Sequence, residues 1–329
     1  MQSFCSSFVK RVSCASVFAL ATLLPTLTHA AEPLKIGYSD WPGYVAWQVA
    51  IEKGWFKEAG VDVKFDWFDY SASLDAFTAG KIDADLTTNG DALVIASGGA
   101  KNVMIMLTDY SNGNDMVIAK PGIKSLKDLK GKKIGLETGL VEHLLLLNGL
   151  QKAGMKESDV TIVNTKTNDT PQALASPDIA AIAAWQPNSG QAMKLVPGAK
   201  PIYTSAQAPG LIYDVLAVSP TSLSARKDDW AKVIKVWGKV VAYVNDPKTQ
   251  PDALKIMSAR VGLTPEAYKP LLKGTRLLNL AENKATFVKA DGLKSLYGST
   301  KVADDFNVKN AIYKEPQDLS KAIDPQFNK

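Results

Sequence analysis

The feature that most constrains the fold is an alternation of strand-like and helix-like segments, which occurs in two series along the chain. The predicted strands of the first series cover residues 34–38, 61–68, 84–88 and 103–108. A second series begins near residue 115 and ends with a predicted strand at 211–218. Strands that alternate with helices are typical of parallel sheets covered by helices on both faces. The sequence therefore predicts an α/β fold with two sheets, each mainly parallel.

The last third of the chain has a different, mostly helical pattern. The predicted helices cover residues 227–245, 251–261, 265–272 and 286–296. A chain of roughly 300 residues favours two lobes over one hydrophobic core. We expect lobe I to be discontinuous, with residues 31–115 and 219–329, and lobe II to comprise residues 116–218.

The first thirty residues have the features of a signal peptide. Lys10 and Arg11 provide positive charge, residues 17–24 form a short apolar run, and Thr28-His29-Ala30 precedes the expected cleavage position. The apolar run is too short to cross a bilayer. We therefore expect residues 1–30 to be removed, and the mature protein to be soluble and exported to the periplasm.

The composition of the remaining chain disfavours several kinds of site. Both cysteines, Cys5 and Cys14, lie inside the predicted signal peptide, so no disulfide, thiolate nucleophile or cysteine metal site is expected. His143 is the one histidine beyond residue 30, which argues against a multi-histidine metal centre. The net charge of +5 comes from scattered basic residues, which does not indicate a nucleic-acid partner. We predict no catalytic residues, metal or cofactor.

Candidate binding residues follow from the predicted sheets, because ligands of open parallel sheets bind outside the carboxyl ends of the strands. Acidic and aromatic side chains recur at these positions. Glu142 is added because it lies one helical turn after Thr138. The residues that we expect to contact a ligand are Asp40, Trp41, Tyr44, Asp69, Asn89, Asp91, Tyr110, Glu137, Thr138, Glu142, Trp185 and Asp214.

Each of these residues also has a purely structural interpretation. Asp91 and Thr138 are suited to capping the helices that follow them, and aromatic residues are often core residues. Taken together, however, the carboxylates favour a cationic ligand, because the arginines beyond residue 30 are all in the helical tail. Trp41 and Trp185 follow predicted strand ends, where a ring can stack on a planar ligand or hold a cation.

Four segments carry a resemblance to a known family. They are residues 34–38 (LKIGY), 52–63 (EKGWFKEAGVDV), 79–84 (AGKIDA) and 126–135 (LKDLKGKKIG). On these segments the chain resembles the substrate-binding proteins of importers of the nitrate, sulfonate and taurine group, which includes thiamine-precursor receptors. The resemblance implies the fold of a type II periplasmic binding protein, with two crossing strands as a hinge. It also implies a small-molecule ligand, the transmembrane permease of an ABC importer as partner, and a monomer.

A finer resemblance is carried by residues 40–44 (DWPGY) and 89–92 (NGDA). On these residues the chain looks like the receptors encoded beside urea carboxylase-type enzymes, which act on guanidine, and this implies guanidinium as ligand. Guanidinium is planar and carries only N–H donors, as the arginine head group does, and a carboxylate accepts two of its N–H groups in parallel. The acidic strand ends agree with this ligand. We therefore predict a solute-binding protein for a small planar cation or amide-like nitrogen compound, with guanidinium favoured.

Three alternatives remain open from the sequence. The first is the same class of receptor with an anionic or heterocyclic ligand, such as a sulfonate, taurine, nitrate or a pyrimidine. The second is an enzyme of the same fold, which the single histidine beyond residue 30 disfavours. The third is a receptor that presents its closed lobes to a sensor protein instead of a permease.

Overall fold

The computed structural model describes residues 32–328, which contain two β-sheets covered by helices. The predicted signal peptide, residues 1–30, lies outside the described residues. Within the described part of the chain, no helix is both long and apolar enough to cross a membrane. The strands are β1 (Leu34–Tyr38), β2 (Val63–Trp67), β3 (Ala84–Thr88), β4 (Val103–Ser111), β5 (Asp115–Ala119), β6 (Lys133–Leu136), β7 (Thr161–Asn164), β8 (Ala181–Trp185), β9 (Lys200–Thr204), β10 (Tyr213–Val218) and β11 (Thr275–Leu277).

The helices surround the sheets and include a long amphipathic one. Buried residues of α10 recur every three or four positions, which places one stripe of the helix in the core. The helices are α1 (Pro42–Val45), α2 (Trp47–Glu52), α3 (Trp55–Glu58), α4 (Tyr70–Thr78), α5 (Asn89–Ser97), α6 (Val141–Lys152), α7 (Thr170–Ala175), α8 (Asn188–Leu195), α9 (Pro220–Ala225), α10 (Lys227–Asn245), α11 (Gln250–Arg260), α12 (Pro265–Tyr268), α13 (Leu280–Thr286), α14 (Leu296–Lys309) and α15 (Leu319–Ala322).

Both sheets are mixed rather than mainly parallel. The first sheet has the order β11-β4-β10-β3-β1-β2, and the second has the order β7-β6-β8-β5-β9. In the first sheet, β1 is parallel to β2 and β3, whereas β10 is antiparallel to β3 and β4. In the second sheet, β6 is parallel to β7 and β8, whereas β5 is antiparallel to β8 and β9. The α/β class is confirmed, and the antiparallel pairings are those made by β5, β10 and the short strand β11.

The chain passes between the sheets twice, at residues 112–114 and again at 205–212. The two crossings are adjacent, because Ser111 N donates to Ile212 O at 3.1 Å. The second crossing returns the chain before β10, so this strand pairs with β3 and β4 in the first sheet. The sequence analysis assigned residues 211–218 to lobe II. In the structure these residues include β10, which belongs to the first sheet, so the sheets divide before residue 213 and not at residue 218.

The helical tail packs against the first sheet through aromatic rings. Trp237 of α10 lies 4.8 Å from the ring of Trp47 on α2, and both side chains are fully buried. The helix predicted at 286–296 is wrong, because this segment forms the connection between α13 and α14. Gly292 there has a φ of +83°, and Ser295 begins the next helix as its N-cap. A left-handed residue interrupts helical backbone, so the apolar spacing misled the prediction.

Candidate functional site

A cavity lies where strand ends of the two sheets come together, and its volume is about 10 Å³, close to the space that one water molecule needs. Residues that follow β1 and β2, and the last residue of β3, meet the last residue of β8 and the first residue of β5. The expectation that a site lies at strand ends therefore corresponds to an actual cavity. The residues that line it are Trp41, Tyr44, Tyr70, Thr88, Asp115, Val141, Trp185, Ile212 and Asp214.

Two aromatic rings of the first sheet are fixed by carboxylates at their polar ends. Trp41 Nε1 donates to Asp109 Oδ1 at 2.9 Å, and the Tyr44 hydroxyl donates to Asp214 Oδ1 at 2.5 Å. All four side chains are buried. Because the indole N–H and the hydroxyl already have acceptors, the ring atoms remain to form an apolar wall of the cavity.

Asp109 and Asp214 form a carboxyl pair on neighbouring strands. The register of β10 and β4 places them directly opposite each other. Burial raises the pKa of Asp109 to about 7, and burial together with the charge of Asp109 raises the pKa of Asp214 well above its ordinary value. One oxygen of Asp214, Oδ2, has no hydrogen-bond partner among the described residues. Asp214 lines the cavity, and its carboxyl group can also bond to that of Asp109 through a shared proton.

A second carboxyl pair belongs to the other sheet. Asp115 is the first residue of β5, and Glu142 lies in the first turn of α6. Burial raises the pKa of Asp115 to about 6, and burial followed by the charge of Asp115 raises the pKa of Glu142 well above its ordinary value. Asp115 Oδ2 and both carboxyl oxygens of Glu142 have no partner among the described residues. Because none of the described residues offers these oxygens an N–H or O–H donor, the two adjacent carboxyl groups can bond only to each other, through a proton on one of them.

The cavity lining holds acidic side chains but no basic side chain that could pair with them when they ionise. None of the lining residues is a lysine or an arginine. Within residues 32–328, no group of three or more histidines, aspartates or glutamates is arranged to hold a metal ion. A buried carboxylate without a partner has a large desolvation cost, which a bound cation removes by pairing with it. A bound anion would add repulsion to that cost.

Four of the twelve predicted residues line the cavity, and four others connect the two sheets. Trp41, Tyr44, Trp185 and Asp214 are in the lining. The residues that connect the sheets are Asp40 with Trp185 and Asn188, Asp69 with Asn168, Asp91 with the backbone N of Val141, and Glu137 with Ser71. These four acids bond to protein groups of the opposite lobe. The sequence pattern alone did not distinguish such a bond from contact with a ligand.

The four remaining predicted residues have other surroundings. Asn89 is bonded within the first sheet's own lobe, where its Nδ2 donates to Ser299 and Thr300. Tyr110 packs edge-on against Tyr213, with ring centres 5.8 Å apart. Thr138 is exposed. Glu142 is buried behind Asp115 and does not line the cavity. Asn89, Tyr110, Thr138 and Glu142 are therefore not placed at the cavity surface.

Five lining residues were missed from the sequence, namely Tyr70, Thr88, Asp115, Val141 and Ile212. Tyr70 follows Asp69 directly and lies at the start of α4, so the same strand-end rule covers it. Its hydroxyl donates to Asp91 Oδ2 at 2.6 Å. Asp115 begins a strand that enters its sheet antiparallel, so its starting end lies beside the carboxyl end of β8. An inspection of carboxyl ends alone does not find such a residue.

Gly43 has a packing role that leads to a prediction. A Cβ atom at Gly43 would lie 1.9 Å from Asp109 Oδ2. We expect Gly43→Ala to displace the Asp109 carboxylate and to lower the free energy of unfolding by at least about 2 kcal/mol, as overpacking of a filled core does. Urea unfolding measures this change. Gly98→Ala is the control, because the nearest atom there lies at 3.5 Å. Equal stability of the two variants would contradict the prediction.

Comparisons with known proteins agree with this fold. The family described as NMT1/THI5 like matches residues 41–209, which are 169 of the 329 residues. A presumed binding protein of Brucella abortus (strain 2308) is 35% identical over 193 residues, which are 58% of this chain and 60% of the relative. The matched region thus spans less than two thirds of that relative. A presumed aliphatic sulfonates-binding protein of Escherichia coli (strain K12) is 24% identical over 54% of this chain and 56% of its own.

A solved structure extends the comparison to most of the described chain. The alkanesulfonate-binding protein SsuA from Xanthomonas axonopodis pv. citri, bound to MOPS, superposes with a TM-score of 0.75. It is 17% identical and covers 89% of this chain and 99% of its own. At this identity the likeness shows a shared fold.

Proposed function

The chain belongs to the NMT1/THI5-like family, and on that premise we propose that it is the extracytoplasmic solute-binding protein of an ABC importer, with guanidinium or a similar small planar cation as its ligand. The ligand binds in the cavity between the two sheets. The partner is the transmembrane permease of the importer. The single observation that carries the choice of ligand is that two buried acids, Asp115 and Asp214, line the cavity and no basic residue does.

The names of the relatives support a receptor rather than an enzyme. Both relatives reported above are named as binding proteins, and the solved structure is a binding protein with a sulfonate-containing molecule bound. The periplasmic location rests on the predicted signal peptide. The two crossings of the chain, at 112–114 and 205–212, serve as the hinge in this proposal.

The size and chemistry of the cavity support a ligand of few atoms. Its volume is about 10 Å³, which is close to the space that one water molecule needs. Asp214 approaches from the first sheet and Asp115 from the second, so a planar cation between them satisfies one carboxylate on each side. Trp41 and Trp185 supply aromatic rings at the same cavity. The resemblance at residues 40–44 and 89–92 agrees with guanidinium.

A second candidate ligand is an anion such as a sulfonate, and the names of the relatives favour it. The Escherichia coli relative and the solved structure are named for sulfonates, and the name of the Brucella abortus relative gives no ligand. Against this candidate stands the absence of lysine and arginine from the cavity lining. An anion in this cavity would therefore need the carboxyl groups of Asp115 and Asp214 to be protonated, so that they can donate hydrogen bonds.

Calorimetry with a panel of ligands tests the choice directly. We expect heat of binding and a 1:1 stoichiometry with guanidinium chloride at pH 8, and weaker binding of urea, which has the same shape but no charge. Sodium chloride at the same concentration is the control for ionic strength. Binding of taurine or nitrate without binding of guanidinium would show that the second candidate is correct. Failure of all of these ligands to bind would reject the proposed ligand class.

A further inference from the structure

Asp40 differs from the acids of the cavity because protein groups occupy both of its carboxylate oxygens. Its Oδ1 accepts from Trp185 Nε1 at 2.9 Å, and its Oδ2 accepts from Asn188 Nδ2 at 2.7 Å. Asp40 follows β1 in the first sheet, whereas Trp185 ends β8 in the second sheet and Asn188 begins α8. Both donors are nearly completely buried. The carboxylate therefore joins the two sheets by two charge-assisted hydrogen bonds.

The same indole has a second contact with the first sheet. The ring of Trp185 meets the ring of Tyr70 edge-on, with centres 5.0 Å apart. Tyr70 donates in turn to Asp91, which accepts from the backbone N of Val141, the first residue of α6, at 3.3 Å. Trp185, Tyr70 and Val141 all line the cavity, whereas Asp40 does not. Asp40 is thus placed to act on the cavity through Trp185.

We propose that Asp40 is a positioning residue that fixes the Trp185 indole in the cavity wall and latches the two lobes together, and that it does not contact the ligand. The role of Asp40 in this proposal is geometric. Its oxygens need to accept two N–H groups, and a negative charge at residue 40 is not itself required. A residue that binds a cation by charge would behave differently when the charge is removed but the acceptor is kept.

An exchange of partners between residues 40 and 188 separates the two roles. Asp40→Ala removes both acceptors. Asp40→Asn keeps one acceptor for the indole, and the amide of Asn188 can rotate to present its oxygen to the new amide group. Asn188→Asp alone places two carboxylates opposite each other. The double variant Asp40→Asn/Asn188→Asp restores one carboxylate, now on the other lobe, with both hydrogen bonds possible.

The first measurement needs no ligand and so does not depend on the proposed function. Deuterium exchange of the Trp185 indole N–H is followed by NMR at pH 7.5, with the signal assigned by Trp185→Phe. We expect exchange to be at least tenfold faster in Asp40→Ala and in Asn188→Asp than in the natural protein. We expect Asp40→Asn and the double variant to stay within about threefold of it. Asp178→Asn, an exposed acid of the second lobe, is the control.

The second measurement uses guanidinium chloride as the probe, and it alone rests on the proposed function. We expect a tenfold or larger loss of affinity in Asp40→Ala, through faster dissociation, and recovery in the double variant relative to Asn188→Asp. The proposed role of Asp40 would be wrong if Asp40→Ala left the exchange rate of the Trp185 indole N–H unchanged. It would also be wrong if the double variant did not bring this rate back towards that of the natural protein. Normal indole exchange in Asp40→Asn with a loss of guanidinium binding as large as in Asp40→Ala would show that Asp40 is a charge contact. If guanidinium does not bind to the natural protein, the proposed ligand is wrong. The exchange rates of the Trp185 indole N–H then still decide whether Asp40 holds the two lobes together.

Discussion

Asp214→Asn should reduce the affinity for guanidinium by a hundredfold or more, and it should at the same time make the ligand-free protein more stable. The variant keeps the shape of the side chain and its acceptor for the Tyr44 hydroxyl, but it removes the charge. Removal of one partner from a buried charge pair costs about 3–5 kcal/mol, which corresponds to roughly two to four powers of ten in affinity. Without ligand, the same change removes the repulsion between Asp214 and Asp109.

The two effects of opposite sign make this variant a sharp test. Calorimetry gives the affinity, and thermal unfolding without ligand gives the stability, which we expect to rise by a few degrees. Asp75→Asn is the matched control, because Asp75 is an exposed acid of the same lobe, on α4. A loss of both affinity and stability would indicate that Asp214 has a structural role. An affinity that is unchanged or improved would contradict a cationic ligand.

The buried acids around the cavity lower the stability of the ligand-free protein, and we expect them to be kept for ligand binding. Asp109, Asp115, Glu142 and Asp214 are all buried, and burial raises the pKa of each one. Apolar residues in their place would pack without the desolvation cost. A protein selected for stability alone has no reason to keep four such acids around one cavity. A cationic ligand that pairs with these acids offsets their desolvation free energy. Because this happens only when the lobes enclose the ligand, binding and closure of the lobes are coupled.

The fold could be predicted from the sequence because its signal is local and periodic. The strands β1 and β3 were predicted at the residues where they occur, 34–38 and 84–88, because helix and turn signals bound each of them. The segment 286–296 was mispredicted because apolar spacing does not show the left-handed backbone at Gly292. The position of β10 depends on the route of the chain between the sheets, which no local pattern contains.

The site could be predicted only in part, because its residues are selected by pairing across the cleft. Trp41 and Trp185 were found by the strand-end rule, and both line the cavity. Asp115 was missed because it begins a strand instead of ending one. Asp40 and Asp214 are both acids at strand ends, yet Asp40 bonds to two donors of the opposite lobe, whereas Asp214 accepts from Tyr44 and lies against another acid, Asp109. That difference depends on the donors that lie opposite, and these come from distant parts of the chain.

The affinity for guanidinium should rise with pH between about pH 5 and pH 8. Burial raises the pKa of Asp115 to about 6 and the pKa values of Asp91 and Asp109 to about 7, so these groups lose their protons across this range. Guanidinium, like the arginine head group, stays protonated throughout. Each proton released on binding contributes up to a tenfold increase in affinity per pH unit. Calorimetry in buffers of different ionisation heat measures both the affinity and the number of protons released.

The stability of the ligand-free protein should change in the opposite direction. A carboxyl group with a raised pKa binds its proton more tightly in the folded state, so its contribution to stability is largest below its ordinary pKa near 4 and is lost as pH rises towards 6 or 7. His143 has the opposite sign, because burial lowers its pKa, but it is one group against Asp91, Asp109 and Asp115. We therefore expect the melting temperature without ligand to be lower at pH 8 than at pH 5, by roughly 5–10 °C.

The two pH trends together distinguish the cation from an anion. With guanidinium present, the increase in melting temperature caused by the ligand should be larger at pH 8 than at pH 5. It should therefore offset part of the decrease in melting temperature that we expect between pH 5 and pH 8 without ligand. An anion such as methanesulfonate would bind more tightly at pH 5, because protonated carboxyl groups donate hydrogen bonds to it and ionised ones repel it. Stabilisation by methanesulfonate that falls with rising pH, with none by guanidinium at pH 8, would overturn the cationic ligand. It would also give the acids of this cavity a different function, as proton-dependent donors to an anion.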